Sequence, residues 1–198
     1  MFGLAACTLH PSKVTFRSPT SIADHPEAAV LDNLMAAGVP FRIAPDHHSI
    51  SMDHDGTPPE GGPLDCRDIP DMVPILSVLA SRACGRSALG HVAHVRLKES
   101  DRVASMLQLR KMGARIEFDG NDMTFEGVQR LRGATLSSFN DHRVLMALAV
   151  AGSIASGVTE LSYPHAYRIS YPEFLDHMNA LGIPAAVSGP VPAVGQPR

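Results

Sequence analysis

A helix-ending pattern that occurs three times limits the folds open to this chain more than any other feature. In each copy, apolar residues stand at intervals of three and a glycine follows the last of them. The copies span residues 31–39, 106–114 and 175–183. Each predicts an amphipathic helix that ends at its glycine and continues into a strand. The glycines lie roughly 70 to 75 residues apart, which is longer than a solenoid repeat and indicates duplication within one domain.

Two more strongly apolar segments precede the second and third copies. Residues 71–85 and 141–157 are apolar on nearly all sides, so we expect helices that are buried on most faces. Asp71 and Asp141 stand at their starts and are predicted to be N-caps. Short strands are expected at residues 87–89 and 158–161. Each unit is thus predicted to contain a buried helix, a strand, a loop, a surface helix and a second strand.

The first unit is shorter than the other two. Residues 2–9 and 13–16 match only the end of a buried helix and the strand after it. The chain is therefore expected to begin inside a repeat. Residues 53–68, rich in glycine and proline, are predicted to be a loop between units. We expect one α/β domain over residues 1–188 and a flexible tail over residues 189–198.

Composition and charge narrow the class of protein. A hydrophobic content of 44% over 198 residues supports a substantial core, and no apolar run approaches the roughly 18 residues of a membrane span. No export signal is recognised, and three widely spaced cysteines suit the reducing cytoplasm, so we expect a cytoplasmic protein without membrane partners. A net charge of −3 argues against a nucleic-acid partner. Eleven of the 17 Lys and Arg residues nevertheless lie between Arg82 and Arg143, which favours a small anionic ligand.

The stretch from residue 96 to residue 102 concentrates charge where a helix is predicted to begin. It holds three bases and two acids, namely Arg96, Lys98, Arg102, Glu99 and Asp101. The positive end of the helix dipole disfavours Lys and Arg there but attracts anions. The stretch therefore predicts a site for a phosphate or a carboxylate. The alternative is a solvated helix entrance with ion pairs worth a few tenths of a kcal/mol each.

A second basic segment lies at the entrance of the third buried helix. His142 and Arg143 follow Asp141 there. His142 could simply be a histidine of the cap region, without a chemical role. Arg143, together with Lys98 and Arg102, places cations at helix entrances of consecutive units, and repetition brings equivalent helix ends to one rim.

Asp68 and Asp71 form an acidic pair where the second buried helix begins. Either could cap that helix, or one of them could act as a general base. Histidines and aspartates at residues 46–48 and 53–55 resemble metal ligands by composition. Their spacing does not fit a helix or a strand that would direct them to one point, so no metal site is predicted. Neither a phosphate-binding glycine loop nor a Ser or Cys nucleophile beside a histidine is evident.

Four ordered segments, residues 68–76, 96–102, 140–143 and 170–174, closely resemble the 5-enolpyruvylshikimate-3-phosphate synthases, also called 3-phosphoshikimate 1-carboxyvinyltransferases. The resemblance extends to about residue 188 and corresponds to the C-terminal half of that family. It implies an enolpyruvyl transferase-like α/β domain of repeated βαβαββ units, here with the first unit truncated. The family has two such domains and an active site in the cleft between them, so a complementary N-terminal domain is an expected partner.

The resemblance also implies a reaction and residue roles. The family transfers the enolpyruvyl group of phosphoenolpyruvate to the 5-hydroxyl of shikimate 3-phosphate, as part of aromatic amino acid biosynthesis, with no metal or organic cofactor. It assigns Asp71 as the base for the hydroxyl and Glu99 to proton transfer at the enolpyruvyl carbon. Lys98 is assigned to the shikimate phosphate. Arg102 and Arg143 are assigned to the phosphoenolpyruvate anion, with His142 beside it.

Two positions depart from the family pattern. Ile169 stands where the family often has lysine, with Arg168 one position earlier, and His94 stands where the family usually has asparagine on the shikimate side. These departures keep a second hypothesis open, in which the chain is a non-catalytic fragment or pseudo-enzyme that serves as a binding module. An enolpyruvyl transferase acting on a UDP-sugar fits the two basic motifs less well.

Overall fold

A computed structural model describes residues 1–24 and 28–188. The predicted tail at residues 189–198 lies outside them. Three consecutive units follow one plan, and the described helices and strands are given below unit by unit. Within the described ranges, no helix is both long enough and apolar enough to cross a membrane.

The first unit contains two helices and three strands. They are α1 (Phe2–Leu9), β1 (Ser12–Arg17), α2 (Ala29–Ala36), β2 (Phe41–Ile43) and β3 (Ser49–His54). The strands form an antiparallel sheet in the order β1-β3-β2. The buried helix and the strand that were predicted from residues 2–9 and 13–16 are confirmed.

The second unit shows the whole βαβαββ plan. Its elements are β4 (Pro63–Asp65), α3 (Val73–Arg82), β5 (Arg86–Gly90), α4 (Arg102–Leu107), β6 (Arg115–Phe118) and β7 (Met123–Glu126). The sheet order is β4-β5-β7-β6, with β4 parallel to β5 and the other neighbours antiparallel. The predicted fold class is therefore confirmed. Strand β4 opens this unit and has no counterpart among the described residues of the first unit. It lies within residues 53–68, so the prediction that this whole segment is a loop is wrong; its strand forms by pairing with β5, a contact that the glycine and proline content does not reveal.

The third unit has split strands. Its elements are β8 (Leu131–Arg132), β9 (Thr135–Leu136), α5 (His142–Ser153), β10 (Ala155–Ser156), β11 (Glu160–Leu161) and α6 (Phe174–Ala180). Strand β8 pairs in parallel with β10, and β9 with β11.

The strand that was predicted after α6 is wrong, because residues 183–188 form none. Pro184 has no N–H for a ladder. The side chain of Asn179 takes the place of a strand neighbour for Ala185. It donates to the Ala185 carbonyl at 3.0 Å and accepts from the Ala185 N–H at 3.1 Å.

The three predicted helix ends have the same geometry. Gly38, Gly113 and Gly182 have φ values of 81°, 92° and 79°, in the left-handed region that glycine enters without strain. In each copy the residue after the glycine donates its N–H to the carbonyl five positions earlier, at 3.0 to 3.1 Å. That residue is buried in all three copies. The glycine-ended helices are therefore confirmed.

Helices α1, α3 and α5 pack against one another at the centre of the domain. Each contributes fully buried residues, among them Ala6 in α1, Val78 in α3 and Ala147 in α5. The prediction that these helices are buried on most faces is confirmed. The entrances of α3 and α5 come together, since Asp71 ahead of α3 contacts Arg143 at the start of α5, and this places the charged segments of the second and third units side by side.

Candidate active site

The candidate site lies where α3, α4 and α5 begin. A 3-10 turn at Pro70–Met72 leads into α3, the basic stretch leads into α4, and Asp141 opens α5. A second 3-10 turn, Ala93–Leu97, contacts the first one. Three helix entrances therefore share one rim, and each carries at least one charged side chain.

Arg102 is the centre of the site and has no exposed surface. Its guanidinium donates to three carboxylates at once, through different nitrogens. Nε lies 2.9 Å from Asp141 Oδ2, Nη1 lies 2.7 Å from Asp71 Oδ1, and Nη2 lies 2.6 Å from Glu99 Oε2. Such charge-assisted bonds are what makes a buried arginine tolerable.

Asp71, at the entrance of α3, binds cations from the entrances of the other two helices, α4 and α5. Besides Arg102, it contacts Arg143 Nη2 at 2.8 Å and Lys98 Nζ at 3.5 Å. Partial burial alone would raise its pKa, but the hydrogen bond from Arg102 and the charges of Arg143 and Lys98 outweigh that effect and hold the pKa below its usual value. Asp71 is therefore ionised, and 29% of its side chain is open to solvent.

Asp71 does not cap α3, so that part of the prediction is wrong. The N-cap is Met72, which makes no side-chain capping bond. Pro74, in the first turn of the helix, has no N–H to offer a capping carboxylate. The Asp71 carboxylate is instead bound by the cations described above.

Asp141 is fully buried and accepts four hydrogen bonds. Oδ1 takes the N–H groups of Arg143 and Val144 at 2.9 and 3.2 Å, so the predicted N-cap of α5 is confirmed. Oδ2 takes Arg102 Nε and the hydroxyl of Ser100, the latter at 3.0 Å. Burial raises its pKa, yet the bonds from Arg102, Val144 and Ser100 outweigh this and leave the pKa lowered.

His142 is nearly buried at the first position of α5. Burial lowers its pKa, the charges of Arg143 and Arg102 lower it further, and Asp141 and Glu99 oppose the shift. A neutral imidazole beside several cations can accept or donate a hydrogen bond without adding charge. His142 thus lies within the electrostatic reach of the site, although it makes none of the direct ion pairs.

The remaining sequence-predicted residues lie apart from the ion-pair cluster. His94 is exposed in the Ala93–Leu97 turn, and within the described chain no hydrogen bond or ion pair joins it to the cluster. Ile169 ends another 3-10 turn and is 66% exposed. The neighbouring Arg168 lies over the ring of Tyr167 at 5.9 Å and is not drawn into the cluster.

A sequence model of the EPSP synthase (3-phosphoshikimate 1-carboxyvinyltransferase) family matches residues 3–178. The chain belongs to this family. The 3-phosphoshikimate 1-carboxyvinyltransferase of Methanocaldococcus jannaschii is 34% identical over 180 residues, which are 90% of this chain and 41% of the relative. That of Methanocella arvoryzae is 38% identical over 184 residues, which are 91% and 42%.

A solved EPSP synthase from Acinetobacter baumannii has the same fold, with a TM-score of 0.75, 23% identity and coverage of 91% of this chain and 44% of that one. The chain therefore spans about two fifths of the length of the curated relatives. The site described above is the part of an EPSP synthase fold that these residues build.

Sequence reasoning missed two contributors to this candidate site. Asp141 was predicted only as a cap, and Ser100 was given no role. The repeat held the signal, because Asp71 and Asp141 occupy equivalent positions ahead of equivalent helices. Because these two carboxylates lie on one rim, a cation placed between them can contact both, and Arg102 does contact both.

The site is balanced in charge. Lys98, Arg102 and Arg143 oppose Asp71, Glu99 and Asp141. Among the described residues, no group of three or more His, Cys, Asp or Glu side chains is arranged to hold a metal ion. An incoming anion would compete with Asp71 for Lys98 and Arg143, which both keep part of their surface exposed.

Proposed function

We propose that this chain supplies the C-terminal part of an enzyme that transfers the enolpyruvyl group of phosphoenolpyruvate to the 5-hydroxyl of shikimate 3-phosphate. One observation carries the proposal. Asp71 is held between Lys98, Arg102 and Arg143, and Glu99 is bound to the same Arg102. Two acids that can exchange protons thus stand among cations that can bind anions.

The chemistry follows from how substrate would change these contacts. Phosphate and carboxylate groups binding to Lys98 and Arg143 would withdraw both cations from Asp71 and remove two of the causes that lower its pKa. Asp71 would then become a stronger base for a hydroxyl proton. Glu99, which is bound to Arg102 through one oxygen and is 52% exposed, would carry a proton to and from the enolpyruvyl carbon. The 5-hydroxyl oxygen forms the new bond to that group, and phosphate leaves.

A complementary N-terminal polypeptide is part of the proposal. The described site is a rim with partly exposed side chains, whereas sites for small polar ligands bury most of the ligand surface. The chain covers 41% to 42% of its archaeal relatives, so the remaining part of such a relative is the natural partner. A cytoplasmic location and the absence of a cofactor remain predictions of the sequence.

Release of phosphate from the two substrates tests the proposal. The assay uses this chain alone, and then with a polypeptide covering the part of the M. jannaschii relative that the chain does not match. We expect release only from the pair, and a loss of about 10²- to 10⁴-fold in Glu99→Gln. Glu117→Gln, on the exposed face of β6, is the matched control and should retain full activity.

The competing hypothesis, a binding module without catalysis, is favoured by one observation. The exposed Ile169 offers no charge where the family often has lysine. Calorimetric binding of phosphoenolpyruvate by the pair without any phosphate release would support that hypothesis. If the Ile169→Lys variant of the pair then released phosphate, the missing lysine at this position would be the cause of the inactivity.

A further inference from the structure

We propose that Asp141 is a positioning residue that fixes Arg102 and the start of α5, with Arg143, relative to each other. The two oxygens of its carboxylate serve different units. Oδ2 accepts from the Arg102 side chain of the second unit, and Oδ1 accepts from the first N–H groups of α5 in the third unit. One buried carboxylate therefore joins a cation of one unit to the helix that carries a cation of the next.

The other partners of Arg102 cannot hold it through a reaction. Asp71 and Glu99 are 29% and 52% exposed, and both are the acids to which the proposed function assigns proton transfer. Each changes charge or partner when it does so. Asp141 has no exposed surface and is not assigned a proton transfer, so its bond to Nε remains while the other two bonds change. With Nε fixed, the planar guanidinium keeps Nη1 and Nη2 directed toward the side of the site where Asp71 and Glu99 lie.

A second contact shows that Asp141 is more than a helix cap. Ser100 donates its hydroxyl to Oδ2 at 3.0 Å, and this is the oxygen that does not cap the helix. The capping aspartate of α4, Asp101, provides the contrast. It accepts from the Ala104 N–H, but its second oxygen pairs with Arg96, whose side chain is half exposed and outside the ion-pair cluster.

The variant Asp141→Asn tests the proposal because asparagine keeps a capping oxygen while it removes the charge-assisted bond to Arg102. The identity of the anion rests on the proposed function. With the active pair, we expect the KM for phosphoenolpyruvate to rise about 10- to 100-fold, with the KM for shikimate 3-phosphate unchanged. Asp101→Asn, the matched capping control, should change neither KM. A lower kcat with both KM values unchanged would indicate a purely structural role and overturn the proposal.

A second readout does not depend on activity. In the isolated ¹⁵N-labelled chain, the Nε–H of Arg102 should give a slowly exchanging NMR signal, assigned by its loss in Arg102→Lys. Exchange of this proton should be at least about tenfold faster in Asp141→Asn and unchanged in Asp101→Asn. Unchanged exchange in Asp141→Asn would overturn the proposal, even if the wild-type pair proved inactive and the proposed function had failed.

If Asp141→Asn does not fold, Asp141→Glu replaces it. Glutamate keeps the charge but displaces it by one methylene, so the bond to Nε should be poorly aligned and exchange of the Arg102 Nε–H should again be faster. Exchange as slow as in the wild type would contradict positioning by Asp141.

Discussion

Asp71 and Asp141 occupy equivalent positions in consecutive units, yet their surroundings differ in nearly every respect. Asp141 is fully buried, caps α5 and binds Arg102 through its second oxygen. Asp71 is partly exposed, does not cap α3 and binds three cations, two from the entrance of α4 and one from that of α5. The comparison teaches that two carboxylates at equivalent positions of a repeat can differ in burial and in partners, and this difference is what supports the proposed positioning role of Asp141 and the proposed reacting role of Asp71.

The local cause of the difference lies in the first turn of each helix. At the start of α5, Arg143 and Val144 both offer N–H groups, so the carboxylate of the N-cap Asp141 is hydrogen-bonded to the end of the helix. At the start of α3, Pro74 offers none, and the chain enters through the 3-10 turn Pro70–Met72. Asp71 is therefore left free to turn toward the cations.

The largest expected effect comes from removing the cation between the two acids. Arg102→Met should lower the free energy of unfolding by about 3–5 kcal/mol, because it leaves the buried carboxylate of Asp141 without its charged partner. Lys98→Met is the control, since that ammonium is partly exposed and should change stability by about 1 kcal/mol or less. Urea unfolding followed by circular dichroism measures both. Equal losses of unfolding free energy in the two variants would contradict the expectation that the buried cation stabilises the fold more than the partly exposed one.

A smaller effect separates the acids themselves. At pH 7, Asp141→Asn should cost about 2–3 kcal/mol, the worth of a hydrogen bond between charged groups, and Asp71→Asn should cost less because its site is partly solvated.

The pH dependence of that difference has a definite sign. The pKa of Asp141 is lowered in the folded state, so its stabilisation is complete above the unfolded pKa of about 4 and is lost as the pH falls through the folded pKa. The gap between wild type and Asp141→Asn should therefore shrink as urea unfolding is repeated from pH 7 toward pH 2. A gap that widens in acid would refute the ionised pair.

The smallest effect should be the same in both units. Gly113→Ala and Gly182→Ala should each cost about 1 kcal/mol, because the left-handed backbone strains any residue with a Cβ. Neither new Cβ would meet an atom within 4 Å, so packing adds nothing to the cost. Gly62→Ala is the control, since its Cβ also meets open space and its φ is not in the left-handed region. Thermal unfolding should show equal losses for the first two and no loss for the control.

Local features of the sequence predicted most of the fold. The apolar spacing and the glycines fixed the ends of α2, α4 with its following 3-10 turn, and α6, because a helix end depends on a few consecutive residues. The missing strand after α6 was not predictable in this way. Its absence depends on Asn179 reaching the Ala185 backbone, a contact that residue periodicity does not encode.

The sequence indicated which residues belong to the candidate site, but not how their side chains contact one another. Lys98, Arg102 and Arg143 stood out because they oppose the dipoles of predicted helices, and the structure brings them to one carboxylate, Asp71. Complete burial of Arg102 could not be predicted, because arginine is among the residues least often buried. The ion pair between Asp141 and Arg102 depends on packing between the second and third units. The spacing of residues along the sequence does not give distances between side chains of different units. The roles assigned to these residues remain proposals.

The mutual packing of α1, α3 and α5 also bears on the folding of the domain. Each of these helices packs against the other two, whereas the strands of the described sheets pair within a unit. A unit on its own would leave part of the apolar surface of its buried helix in water, because that part is covered by the helices of the other units. We therefore expect the three units to unfold together in one cooperative transition, not one after another.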